Sequence, residues 1–200
     1  MESVIIEETY FHKAAACAAG GIMNTKQLIE TIAKGGCDAR FTALYGEEAL
    51  PSQRKRYIEA VTAFAELFGA DREVFLFSVP GRSEISGNHT DHNRGCVLAA
   101  AVDLDIIAVA SANDRDTVTV KSKGFDPDTV SCFPGEPKKE LFYSSAALLS
   151  GICAGFAKRG YQVHGYDAYT TSNVLKGSGI SSSAAFEVMV GTIMNHLYNN

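Results

Sequence analysis

Apolar positions recur along this chain with two periods, and the change from one to the other divides it. Between residues 24 and 69 the repeat is helical. Leu28, Ile29 and Ile32 fall on one face of a predicted helix that Asn24 caps, with Gln27 completing a capping box and Gly35 and Gly36 ending it. Tyr57, Val61, Phe64 and Phe68 recur in a second helix, which is expected to follow Pro51 with Ser52 as its cap and Gly69 as its stop. Arg54, Lys55, Arg56 and Glu59 form its polar face, read as solvated surface. From residue 73 the texture changes to strands, at 74–79, 97–101, 104–110 and 117–121, the last with Val118 and Val120 in clean alternation. Residues 124–138 hold Gly124, Pro127, Pro134, Gly135 and Pro137, which predict a surface loop. A long helix over 141–158 stacks Leu148, Ile152 and Phe156 four apart; a strand at 163–171 and a last helix over 182–198 follow. The class is α+β. Residues 1–70 make a helical N-terminal arm, of which the acidic, small-residue stretch 1–22 is expected to be poorly ordered, and residues 71–200 make the main domain.

Composition narrows the function classes. At 46% hydrophobic and 20% charged residues, the 200-residue chain can bury a sizeable core. Its net charge of −5 favours neither nucleic acid nor an anionic membrane surface as partner. No apolar run approaches the roughly 20 residues that span a bilayer, and Glu2, Glu7 and Glu8 stand where a secretion signal would be basic. Cys17, Cys37, Cys96, Cys132 and Cys153 are odd in number and never paired as C-x-x-C. They read as reduced thiols of a cytoplasmic protein rather than a zinc ribbon or a disulfide framework.

Two segments carry the chemistry. Pro80-Gly81-Arg82-Ser83-Glu84-Ile85-Ser86-Gly87-Asn88-His89-Thr90-Asp91-His92-Asn93 sets polar side chains at the end of a strand, a composition suited to hydroxyls and phosphates. Asn88, His89 and Asp91 offer the directional hydrogen bonds that select among polyols. Arg82 offers a permanent cation for a transferring phosphoryl group. His89, Asp91 and His92 also admit a metal site, although no further Cys or His lies at a plausible ligand spacing, and the histidines also admit a purely structural role. The second segment, Gly177-Ser178-Gly179-Ile180-Ser181-Ser182-Ser183-Ala184, opens an apolar helix. Glycines that let backbone approach a ligand there meet the free amides and positive dipole end of a helix, the makings of an anion site. Flexible glycines before a serine cap are the alternative. The segment is neither a Walker A loop nor a G-x-G-x-x-G fingerprint.

Together, PGR-x-x-x-x-G-x-HTD-x-x-x-G-x-VL and, some eighty residues later, G-x-G-I-SSSA before a helix resemble the galactokinases of the GHMP kinase superfamily over about residues 70–200. The resemblance implies a GHMP kinase N-terminal domain (ribosomal protein S5 domain 2-like), a mixed sheet backed by helices. It implies transfer of the ATP γ-phosphoryl group to the anomeric hydroxyl of galactose or a related sugar. Arg82 would stabilise the transition state, and Asn88, His89, Thr90 and Asp91 would line the sugar site. Gly177, Ser178, Gly179, Ile180, Ser181, Ser182 and Ser183 would hold the ATP phosphates, with Ser183 a Mg²⁺ ligand.

The pattern departs from the family at several places. Ser83 and Glu84 replace a Val-Asn pair, Ser86 an aliphatic residue, Asn88 a glutamate and His92 a tyrosine, and Val174-Leu175-Lys176 stands where a proline precedes the phosphate loop. The resemblance sets the catalytic base, the second Mg²⁺ ligand and a C-terminal domain beyond the loop. The 200 residues are therefore expected to be the N-terminal part of a longer polypeptide, inactive alone. Two further readings are a galactokinase-like sensor that binds sugar and nucleotide without turnover, and a kinase of this superfamily with another acceptor.

Overall fold

The computed structural model describes residues 23–87, 96–136, 139–174 and 181–199. Among the described residues five strands form one mixed sheet: β1 (Phe75–Ser86), β2 (Leu98–Ala112), β3 (Thr117–Ser122), β4 (Asp128–Ser131) and β5 (Tyr166–Ser172), in the spatial order β1-β2-β5-β3-β4. β3 and β5 are parallel; the other neighbours are antiparallel. Helices α1 (Thr25–Ala33), α2 (Asp38–Tyr45) and α3 (Leu50–Phe68) precede the sheet, α4 (Ser145–Lys158) joins β4 to β5, and α5 (Ser182–Tyr198) comes last. This is the α+β, mixed-sheet architecture expected of a GHMP kinase N-terminal domain.

The continuous apolar run in β2 follows from burial on both faces. Ile106, Ala108 and Ala110 share a core with Phe77 and Val79 of β1, Leu149 and Cys153 of α4, and Met189 and Ile193 of α5. Ile107 and Val109 alternate to the other face and pack with Leu76, Tyr169 and the helical residues Leu28, Ile32, Phe41, Tyr57, Val61 and Phe64. Residues 25–68 thus cover one face of the sheet. The Asn24–Gln27 capping box is present, and Gly35 takes a φ of +84° just past the end of α1.

Several boundaries differ from the expected ones. α3 starts at Leu50 with Ala49 as its cap, Pro51 lies in its first turn, and Ser52 Oγ bonds the Ala49 carbonyl instead of capping. α2 lies in a stretch where no helix was expected. The strands at 97–101 and 104–110 are one strand, and β1 runs on through the polar segment to Ser86. β4 occupies the Pro/Gly-rich stretch read as loop, held by pairing with β3 that no local pattern announces. α4 begins at Ser145, and its buried line is Leu149 and Cys153, with Ile152 and Phe156 only flanking the core. The stretch 1–22 lies outside the described residues. Among the described residues no helix is long and apolar enough to cross a membrane.

Candidate functional site

Register across three strands sets the Arg82 ribbon and the end of β5 at one end of the sheet. Val79 of β1 pairs with Ile106 of β2, and Ile106 pairs with Ser172, the last residue of β5. β1 and β5 run in the same direction on either side of β2. The segments beyond Val79 and beyond Ser172 therefore leave the sheet together, about 10 Å apart at strand spacing. The first is a two-stranded ribbon in which Arg82, Ser83, Glu84 and Ser86 face Ala101, Ala100, Ala99 and Leu98, with register shifts between Pro80 and Arg82 and again between Glu84 and Ser86. Such bulges re-aim side chains next to functional sites. The second is described as far as Asn173 and Val174, which precede the Gly/Ser segment in the sequence.

On the ribbon, the half-exposed Arg82 donates to Glu84 Oε1 at 2.8 Å. The motif's glycine has a steric reason: Gly87 has a φ of +86°, and a Cβ there would collide with the Cys96 carbonyl oxygen. Asn88, His89, Thr90 and Asp91, with His92, lie outside the described residues, as do Gly177, Ser178, Gly179 and Ile180. Among the described residues no group of three or more His, Cys, Asp or Glu side chains could hold a metal ion.

Ser181, Ser182 and Ser183 stand at the start of α5. Ser181 caps the helix in the left-handed region (φ 59°, ψ 50°), and its side chain makes no capping hydrogen bond. A non-glycine residue held there stores about 1–3 kcal/mol, a strain concentrated at ligand sites. A normal serine cap would sit extended and satisfy a first-turn amide itself. Here the Ser181 side chain does not occupy those amides, and the exposed Ser183 lies in the same first turn. These residues fit a phosphate and a Mg²⁺ ion.

Between Pro80 of β1 and Asn173, just past β5, lies a buried polar cluster that no sequence motif marks. Asp105, 3% exposed, precedes Ile106 on β2 and faces the α1–α3 side. Its Oδ1 accepts from Arg56 NH1 at 2.6 Å; its Oδ2 accepts from Tyr45 at 2.5 Å and Ser78 at 2.6 Å. Tyr57 donates to the Tyr45 oxygen at 2.8 Å, since Tyr45 spends its own proton on Asp105. Burial, with the Asp105 charge adding to it, pushes the Tyr45 phenol well above its ordinary value, so it remains a donor. The expected solvated face of α3 is therefore corrected. Lys55 pairs in the open with Glu59 and Arg54 pairs with Asp38, but Arg56 turns inward. A lone carboxylate within the apolar run of 104–110 was the available signal, because a buried charge needs a partner.

Asp167 is fully buried between Arg72 and Arg115, each at 2.6 Å, opposite Ser111 at the far end of the sheet. It takes no part in the site.

Residues 62–112 match the galactokinase galactose-binding signature, and residues 144–200 match the N-terminal domain of GHMP kinases. A galactokinase of Streptomyces coelicolor is 35% identical over 135 residues, which cover 68% of this chain and 35% of that protein. The chain thus spans about a third of the length of such curated relatives. The crystal structure of Lactococcus lactis galactokinase complexed with galactose superposes with a TM-score of 0.61 at 27% identity, covering 70% of this chain and 36% of that one. Mevalonate kinase of Methanococcus jannaschii, at 12% identity and a TM-score of 0.50 over 62% of this chain and 40% of its own, shares the fold alone.

Proposed function

We propose, since this chain is a galactokinase-like member of the GHMP kinase superfamily, that it forms the sugar- and nucleotide-binding part of an ATP-dependent kinase acting on the anomeric hydroxyl of galactose or a related sugar. One observation carries the reading. By the register Val79–Ile106–Ser172, the chain leaves β5 at the end of the sheet where β1 continues as the Arg82 ribbon.

Phosphoryl transfer asks a protein mainly for positioning and charge stabilisation. MgATP supplies the phosphoryl group and a divalent charge. In this reading Arg82 neutralises charge growing on the transferring group. The backbone from Gly177 through Ser178, Gly179 and Ile180, with Ser181 and Ser182 at the start of α5, holds the phosphates, and Ser183 offers its hydroxyl to Mg²⁺. Asn88, His89, Thr90 and Asp91 receive the sugar. Asp105 is held by Arg56, Tyr45 and Ser78, and Asp167 by Arg72 and Arg115, so neither is assigned the hydroxyl proton.

The Arg82–Glu84 pair favours a second reading. A carboxylate 2.8 Å from the guanidinium offsets the charge that a transferring phosphoryl group needs, as suits a sensor that binds without turnover. ADP formation from MgATP with galactose, N-acetylgalactosamine or glucose separates the two. Turnover on one sugar, falling about 10²–10³-fold in Arg82→Ala, supports the kinase; nucleotide binding with no ADP on any sugar supports the sensor. Turnover that survives Arg82→Ala unchanged removes the role given to that residue.

A further inference from the structure

We infer that Arg56, on the helix layer that precedes the sheet, is a positioning residue for the reaction: through Asp105 it clamps together the strand ends that carry the Arg82 ribbon and the Gly/Ser segment. The inference rests on the kinase reading for its catalytic consequence, though not for the clamp itself.

The guanidinium reaches two strands at once. NH1 holds the Asp105 carboxylate at 2.6 Å, while NH2 lies 3.1 Å from the Asp105 carbonyl on β2 and 3.4 Å from the Thr171 carbonyl on β5. The Asp105 carbonyl also accepts the amide of Asn173 at 2.9 Å, the first residue past β5 on the way to the Gly/Ser segment. On its other side Asp105 pairs with Pro80, the last residue before β1 shifts register toward Arg82, and binds the Ser78 hydroxyl. Asp105 is thus tied both to β1 where the ribbon begins and to the chain where the Gly/Ser segment begins. Tyr45 of α2 holds the second carboxylate oxygen. A buried ion pair is weak evidence for stability, because apolar residues of similar volume often serve a fold as well or better. What the planar fork contributes is direction, which a lysine ammonium does not reproduce. Arg56 Nε is buried without a hydrogen-bond partner, so the side chain is oriented by NH1 and NH2 at the expense of its third donor.

The test compares two buried Arg–Asp pairs at opposite ends of one sheet. Arg56→Lys and Tyr45→Phe weaken the clamp; Arg72→Lys weakens the Asp167 pair. Hydrogen exchange is followed on the 200-residue chain, and steady-state kinetics on the full polypeptide, well below every variant's Tm. Arg56→Lys is expected to speed exchange at Asn173 and across residues 82–86 about tenfold or more, leaving residues 166–168 unchanged; Arg72→Lys is expected to spare Asn173 and the ribbon. If Arg56→Lys does not fold, Tyr45→Phe reads the same amides, since its ring remains packed beside Phe41 and Tyr57. In turnover, Arg56→Lys should lower kcat about 10- to 100-fold with KM for ATP and sugar little changed, and Arg72→Lys should leave both. Unchanged exchange at Asn173 and 82–86, or equal loosening of them by Arg72→Lys, overturns the clamp. Loosened exchange with kcat intact overturns its catalytic consequence. Absence of turnover in the wild type defeats the kinase reading, while the exchange result still decides the clamp.

Discussion

Truncating Arg72 and truncating Arg115 remove the same kind of partner from the same carboxylate, yet the structure predicts very different losses. Asp167 is wholly buried and accepts one 2.6 Å hydrogen bond from each arginine. The Arg72 side chain is 25% exposed, that of Arg115 61%. Arg72 also donates from Nε to Ser111 Oγ at 3.2 Å and from NH2 to the carbonyls of Ser111 and Ala112 at 3.2 and 2.6 Å, and its guanidinium lies 5.7 Å from the centre of the Phe64 ring. Arg72→Ala strips the buried carboxylate of its less solvated partner and removes the hydrogen bonds to Ser111 and Ala112, a loss of about 3–5 kcal/mol by analogy with other broken buried pairs. Arg115→Ala leaves Asp167 paired and removes a mostly hydrated contact, so about 0–1 kcal/mol is expected. The chain has no tryptophan, so urea unfolding is best followed by far-ultraviolet circular dichroism. With a slope of about 2 kcal/mol/M, the midpoint should fall by about 1.5–2.5 M in Arg72→Ala and by about 0.5 M or less in Arg115→Ala. Equal shifts in the two variants would refute the reasoning, since burial would then not govern the pair.

Two other outcomes follow from burial. His196 of α5 lies edge-on to Phe75 and Phe77 of β1 at 4.9 and 5.5 Å, and burial lowers its pKa from 6.5; the unfolded chain takes up the proton more readily, so this contribution is whole above pH 6.5 and is lost as pH falls through the lower folded value. Urea midpoints measured from pH 7.5 to 5 should fall less steeply in His196→Phe, and identical slopes would show that another group governs. Burial, with Cys132 nearby, pushes the Cys153 thiol up to about 12, so iodoacetamide at pH 8 should modify exposed Cys96 in the folded chain and spare Cys37, Cys132 and Cys153. Peptide mass mapping checks this, and labelling of Cys153 as fast as Cys96 would contradict the packing around α4.

Short-range stereochemistry is legible in the sequence itself. The Asn24–Gln27 box, the Gly69 stop of α3, the Val118–Val120 alternation of β3 and the span of α5 each depend on neighbours within a turn or a pleat, and each stands as the pattern implies. The family motifs are legible for a related reason: the glycine at 87 and the serines that cap and open α5 sit where the local backbone is constrained. Tertiary structure alone decided the rest. Lys55 and Arg56 are adjacent on one helix and read alike, yet one lies in solvent and the other bonds Asp105, 49 residues on, and Thr171, 115 residues on. β4 exists only because β3 lies beside it. That β1 continues as the Arg82 ribbon at the end of the sheet where the chain leaves β5 depends on the register of three strands from distant parts of the chain. Periodicity and capping follow from torsion angles and hydrogen bonds within a few residues, whereas pairing across β2 is selected by burying both faces of the whole sheet at once, a condition no local window contains.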